Sequence, residues 1–228
     1  MRVLITGTSS GIGAATAALF LRCGHAVWGV DILPNSSVKH ENYTHAIADV
    51  GKRETLPDFS EQFEIVINNA ATSIEKDAIG VNLEGYINVA EKYAFHSGIR
   101  CVINVGSISG RDGLDRPRYS ASQGGRISYT KNLAIRLGNQ YKARANCISF
   151  GAVLTGLEPN LYADPNLVNA VANENLLKKW ITPDEAAEWI YFVSVRDRSC
   201  TGQDILIDNG EEANYNWIES APKIRGEI

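Results

Sequence analysis

The chain is poor in the residues that bind metals or cross-link a fold. Its 228 residues include only four cysteines and four histidines. Cys23, Cys101, Cys147 and Cys200 are widely scattered with no C-x-x-C pair, and His25, His40, His45 and His96 share no ligand spacing. A structural zinc site or a disulfide framework needs such clusters. No metal is therefore expected, and the cysteines read as reduced thiols of a cytoplasmic protein. Long apolar runs are also lacking: none approaches the ~20 residues of a membrane span, so no membrane partner is expected. The first apolar run, Val3-Leu4-Ile5, is too short for the hydrophobic region of a signal peptide and is expected to be a strand of the fold. Basic charge is not in excess either. A formal net charge of −4 offers no basic surface on average and argues against nucleic acid as a partner. No repeat, linker or low-complexity stretch divides the sequence, which leads us to expect one domain over 1–228.

With 44% hydrophobic and 21% charged residues, the composition is that of an ordinary globular protein. Apolar runs at 2–6, 26–31, 44–48, 64–69, 99–106, 144–149 and 203–208 read as strands. They alternate with helical patterns at 12–24, 52–62, 76–97, 117–140 and 183–194. Alternation of this kind, with Val/Ile-rich strands, predicts an α/β Rossmann-type doubly wound sheet of about seven mainly parallel strands, covered by helices on both faces. Ligands of such sheets lie beyond the carboxyl ends of the strands, where the strand order reverses. The residues following each strand are thus the place to look for chemistry.

Strand one leads into Thr6-Gly7-Thr8-Ser9-Ser10-Gly11-Ile12-Gly13 and then a helical pattern. Strand, glycine turn and helix N-terminus together present bare backbone N–H groups and a positive helix end, which suit a phosphate. The spacing is G-x-x-x-G-x-G rather than G-x-G-x-x-G, and by itself it also fits a plain strand-to-helix turn. Strand two ends in Asp31, 18 residues after Gly13. A carboxylate there accepts hydrogen bonds from the adenosine ribose and repels a 2′-phosphate, and Ser9, Ser10, Ile32 and Leu33 bring no cation, so NAD is expected over NADP. Strand three ends at Asp49-Val50, strand four at Asn69-Ala70-Ala71, whose small residues let a cofactor lie close, and strand five at Ser107.

In this order, the stretch at 6–13, Asn68-Asn69-Ala70-Ala71, Ser107 and Tyr119-Ser120-Ala121-Ser122 resemble the short-chain dehydrogenases/reductases. The resemblance runs from residue 3 to about 210 and takes in Cys200-Thr201-Gly202-Gln203 and Ile207-Asp208-Asn209-Gly210. It implies an NAD(H)-dependent oxidoreductase that interconverts a secondary alcohol and a ketone. Tyr119 would be the acid/base, Ser107 would orient the carbonyl, and Asn82 of Val81-Asn82-Leu83 would anchor a proton-relay water. The cofactor set carried over comprises Gly7, Ser9, Ser10, Gly11, Ile12, Gly13, Asp31, Asp49, Val50, Asn69, Ala70, Ala71, Gly151, Val153 and Thr155, with position 123. Asn82 follows Asn69 by only 13 positions, as in the compact subgroup that includes bacterial 3α-hydroxysteroid dehydrogenase/carbonyl reductase. The family also implies a homodimer or homotetramer.

The sequence leaves the pattern at position 123. The family has Lys there, where it holds the nicotinamide ribose and lowers the Tyr pKa; this chain has Gln123. A glutamine amide can still hydrogen-bond a ribose but carries no charge. A cation ~5 Å from a phenolate contributes ~3 kcal/mol at an effective dielectric near 20, about two pKa units. Without it, the Tyr119 phenol is expected near ~10, giving impaired or alkaline-shifted activity. The alternative is a catalytically silent NAD-binding protein with a sensing or assembly role. Another departure is Phe150-Gly151, where the family has Pro-Gly. The apolar stretch 156–181 reads either as a substrate lid or as a helix pair packed on the core. A lid of that character suits a small or hydrophobic substrate. The tail 211–228, with Tyr215 and Trp217, either covers the substrate site or a neighbouring subunit, or frays.

Overall fold

The computed structural model describes residues 1–113, 116–157 and 163–214. Seven parallel strands form one sheet: β1 (Arg2–Thr6), β2 (Ala26–Asp31), β3 (Tyr43–Ile47), β4 (Ile65–Asn68), β5 (Cys101–Ser107), β6 (Arg144–Phe150) and β7 (Asp204–Ile207). Their order is β3-β2-β1-β4-β5-β6-β7. The chain winds outward one way from β1 to β3 and the other way from β4 to β7, so the reversal lies between β1 and β4. This is the doubly wound Rossmann-like arrangement.

Alternation along each strand divides the core between two faces. Val3 and Ile5 pack on one side with Ala17 and Phe20 of α1 (Gly11–Arg22). Leu4 and Val66 pack on the other with Val89 of α2 (Gly85–Tyr93) and Leu133 of α3 (Pro117–Tyr141). Burial on both faces explains why the strands read as continuous apolar runs. The remaining helices are α4 (Pro165–Glu174) and α5 (Pro183–Tyr191). Helix α5 starts where the sequence sets a capping box: the Thr182 hydroxyl accepts from the Glu185 N–H, and the Glu185 carboxylate accepts from the Thr182 N–H. Among the described residues no helix is long and apolar enough to cross a membrane.

Two expected helices differ. In place of a helix over 52–62 there is a single 3₁₀ turn, Arg53–Thr55. Pro57 disfavours helical geometry at the residue before it, and Leu56 is extended (ψ 124°). The segment instead runs irregularly, burying Leu56 and Phe63 in the core of one sheet face. The expected helix 76–97 is broken into a 3₁₀ turn (Glu75–Asp77), a π turn (Gly80–Glu84) and α2.

The β6–β7 edge is held by a partly buried ion pair. Arg144 Nη1 lies 2.7 Å from Asp197 Oδ2, whose carboxylate also accepts from the Ser199 and Cys200 backbone N–H groups. Burial pushes this carboxyl upward, but those N–H groups and the guanidinium outweigh it and hold its pKa below the ordinary value. The stabilisation is therefore present above the ordinary carboxylate range and is lost as pH falls through the lowered folded value. Asp197→Asn is expected to cost about 2 kcal/mol at neutral pH. Thermal melts should show the difference from wild type shrinking in acid.

Candidate active site

The carboxyl ends of β1, β2, β4, β5 and β6 open onto one cleft of about 1430 Å³. Its floor at β1 is the glycine turn. Gly7 (φ +74°) and Gly11 (φ +54°) adopt left-handed backbone that side chains rarely take. A Cβ on Gly13 would sit 2.0 Å from the Gly7 carbonyl oxygen, so α1 can begin this close to β1 only with glycine there. Asn69, just past β4, fastens the turn: its backbone N–H donates to Thr6 Oγ1 (2.9 Å) and its amide to the carbonyls of Thr6 (3.0 Å) and Gly7 (3.2 Å). Backbone groups around the reversal point are thus fixed before any ligand arrives.

Asp31, at the end of β2, is largely buried and lines the cleft. Its two oxygens accept from the Ser9 and Leu33 N–H groups, both at 2.9 Å. Each oxygen keeps a lone pair for a further donor. Asp49 accepts from Gly51 N (3.0 Å) and pairs with Lys52 (3.4 Å), while Val50 packs against Gly85. Both face the same cleft, as do Ser10, Ile12, Ala70 and Ala71 on one side and Gly151, Val153 and Thr155 on the other. Ser9 and Gly13 are not on its wall; they shape the turn from behind.

Ser107 ends β5 and lines the cleft, its hydroxyl accepting from the Ser109 N–H (3.2 Å). Tyr119 also lines it, from the first turn of α3. That turn starts at Pro117, which needs no N–H partner, and is capped by Glu75. The Glu75 carboxylate accepts from the N–H groups of Arg118 (2.5 Å) and Tyr119 (3.2 Å), where a negative charge also complements the helix dipole. The register of α3 is set by a buried relay: Asn68 donates to Asn104 (2.9 Å), Asn104 to Thr130 (2.8 Å), and Thr130 to the Arg126 carbonyl (2.7 Å).

Asn82 and Gln123 are not on the cleft wall. Asn82 is fully buried in the π turn, its side chain pinned to the backbone of Thr72 at 2.8 and 2.9 Å. Gln123, expected to touch a cofactor, is buried behind the wall with its Oε1 accepting from Arg126 Nη1 (2.8 Å). Arg126 lies beside it: the residue is buried yet reaches the cleft wall, and its Nη1 holds the Gln123 amide oxygen.

Sequence reasoning missed Arg126, although 119, 123 and 126 stand at i, i+4 and i+7 on one helical face. It also treated Glu211 as tail. The structure puts Glu211 on the cleft wall beside Gly151, about 2.8 Å from where a Cβ on that glycine would lie. Arg111 anchors this segment through Asp204 and Glu212, both at 2.9 Å. Burial, with Asp112 and Asp208 nearby, raises the Glu211 carboxyl above its ordinary value, and burial does the same for Asp112. In the stretch 156–181, helix α4 has no buried residue, and Leu157, Val171 and Trp180 line the cleft. Residues 158–162 and 215–228 of the expected lid and tail lie outside the described residues.

Fold and cleft together define a doubly wound α/β protein with a prebuilt site at the strand reversal. Comparison with known proteins narrows this. A family model described as enoyl-(acyl carrier protein) reductase matches residues 7–212. D-xylose 1-dehydrogenase of Caulobacter vibrioides is 32% identical over 236 residues, covering 92% of this chain and 94% of that protein. An uncharacterized short-chain type dehydrogenase/reductase of Sinorhizobium fredii is 29% identical over 91% of this chain, which spans only 43% of that relative's length. Among solved structures, a 4-hydroxyisoleucine dehydrogenase complexed with NADH superposes with a TM-score of 0.82 at 26% identity, covering 93% of this chain and 98% of that one. The chain belongs to the short-chain dehydrogenase/reductase family, and it is an oxidoreductase.

Proposed function

We propose that the protein is an NAD(H)-dependent oxidoreductase interconverting a secondary alcohol and a ketone on a small or hydrophobic substrate. The observation that carries this reading is the convergence of the glycine turn, Asp31, Ser107 and Tyr119 on one cleft. The donor set suits a dinucleotide: fixed backbone N–H groups at a helix N-terminus for the pyrophosphate, a carboxylate for the ribose, and small residues Ala70 and Ala71 where the cofactor must lie flat. Gly7, Ser10, Gly11 and Ile12 would hold the phosphates, Asp31 the adenosine ribose, Asp49 and Val50 the adenine, and Asn69, Val153 and Thr155 the nicotinamide half. When bound, the nicotinamide supplies or takes the hydride.

The chain's own residues handle the proton and the orientation. Ser107 donates to the carbonyl oxygen, and Tyr119 passes the proton to or from it. Trp180, Val171 and Leu157 form an apolar wall, and we read α4 with its flanks as a lid that excludes water. Glu211 adds a carboxyl that sequence reasoning did not foresee, so the preferred substrate has a hydrogen-bonding group as well as an apolar body. The compact connection between Asn69 and Asn82 supports placement near the 3α-hydroxysteroid dehydrogenase/carbonyl reductase subgroup. We further read 1–228 as one domain of a cytoplasmic homodimer or homotetramer, in keeping with four unpaired cysteines.

NAD over NADP rests on Asp31. Replacing it with Asn keeps one acceptor for the backbone and removes the charge. Asp31→Asn is expected to weaken NADH binding about tenfold and to narrow the preference over NADPH. Fluorescence titration with both cofactors checks this; a wild type that binds NADPH as tightly as NADH contradicts it. The whole reading is tested by NADH consumption across a panel of ketones. Tight NADH binding with no turnover of any ketone would favour the silent, sensing alternative.

A further inference from the structure

Two neighbouring donors beside the cleft lack an acceptor. Gln123 Nε2 and Arg126 Nη2 are both buried and unpartnered, whereas buried polar groups are nearly always paired. The rest of the Arg126 guanidinium is held firmly. Nε donates to the Asn82 carbonyl (2.5 Å) and Nη1 to the Val105 carbonyl (2.7 Å) and Gln123 Oε1 (2.8 Å). Its centre lies 4.0 Å from the centroid of the Tyr86 ring. Asn82 belongs to the π turn Gly80–Glu84, where the α register is broken and a carbonyl can turn to an outside donor. Among the described residues no carboxylate pairs with Arg126. It is a buried cation neutralised by nothing but dipoles, a ring face and whatever occupies the cleft.

We propose that Arg126, locked in place by Gln123, supplies a positive charge to this cleft and turns Nη2 toward the nicotinamide half of a bound dinucleotide. The inference rests on the dinucleotide reading above. Positions 119 and 126 are two turns apart on one face of α3, and helical side chains lean toward the N-terminus, so the long arginine reaches back toward Tyr119. Both residues line the cleft. Gln123 is then not a failed lysine. It is an uncharged acceptor that leaves room for the guanidinium and fixes its plane, where a second cation would repel it.

Other charged groups stand around Tyr119. Glu75 is engaged by the α3 backbone, and Arg116 and Arg118, which line the same cleft, are less buried than Arg126. Asp112 and Glu211, which also line the cleft, are both shifted toward the neutral form. Burial dominates at the Tyr86 phenol of α2 and raises its pKa, against the opposing pull of Arg126. Arg126 is the buried cation among them, and low local dielectric magnifies its charge.

The test is NADH binding, read by fluorescence titration alongside thermal melts. Arg126→Met is expected to weaken NADH binding about tenfold, and Arg126→Lys to keep most of the affinity. Gln123→Lys combined with Arg126→Met should restore binding, which decides the matter if Arg126→Met alone does not fold. A purely structural arginine would lower the melting midpoint of Arg126→Met and leave the NADH affinity of the folded fraction unmoved. That result overturns the proposal. Because binding needs no substrate, the test stands even if no ketone is ever turned over; a wild type that binds no NADH removes the dinucleotide reading itself, so the two failures are distinguishable.

Discussion

Tyr119→Phe is expected to lower kcat for ketone reduction about 10³-fold while leaving NADH affinity unchanged. The substitution removes one oxygen from a half-buried ring whose backbone is held by Glu75, so the fold has no reason to change. What is lost is the group that exchanges a proton with the carbonyl oxygen as hydride moves. The residual rate reflects orientation and the Ser107 hydroxyl, which remain. Because the effect lies in the chemical step, kcat and kcat/KM should fall together. If Tyr119→Phe keeps most of its turnover, the proton comes from elsewhere, and Glu211 is the next group to replace.

The second large effect is expected at Gly13, and it is structural. A methyl group there would lie 2.0 Å from the Gly7 carbonyl oxygen and 2.6 Å from the Asn69 amide nitrogen. Neither can retreat cheaply: the first is backbone in a left-handed turn, and the second is tied to the carbonyls of Thr6 and Gly7. Gly13→Ala should therefore push α1 off β1 or open the turn, costing about 3 kcal/mol. For a domain of this size that is a fall of about 6–12 °C in Tm, with NADH binding lost in the fraction that still folds. An unchanged Tm together with unchanged NADH affinity would show that the turn has slack the geometry denies. Gly80 is the control, because a methyl group there would meet nothing within 4 Å and its backbone is not left-handed.

The sequence made the sheet legible because burial on both faces leaves each strand as an unbroken apolar run, and each of the seven appears within a few residues of its expected place. Helices were harder. The pattern at 52–62 has helical periodicity, yet Pro57 fixes the preceding residue as extended, and a single proline outweighs the periodicity of its neighbours. The broken α2 is a different matter: the π turn at Gly80–Glu84 leaves no clear mark in composition, and the contact made there, from Arg126 Nε to the Asn82 carbonyl, is tertiary.

The same limit applies to the site. The glycine turn, Asp31, Ser107 and Tyr119 follow strand ends, so topology alone brings them to one cleft. Position 123 was read as lacking a charge because only the i+4 spacing from Tyr119 was weighed. The next position on that face, i+7, holds Arg126, and its length and fork geometry restore a cation to the cleft wall. That changes the premise behind an impaired enzyme without deciding the rate. Glu211 was out of reach of any local pattern; Arg111, a hundred residues earlier in the chain, holds the segment against the cleft.

The central claim, that this cleft binds NADH and delivers its hydride to a carbonyl, is tested most directly by label transfer. The protein is incubated with NADH carrying deuterium at C4 and a panel of ketones, and the products are examined by mass spectrometry. The account predicts a secondary alcohol with one deuterium on the carbinol carbon from wild type, and about a thousandfold slower label transfer by Tyr119→Phe despite intact NADH binding. Tight NADH binding by wild type with no deuterium in any product would contradict it.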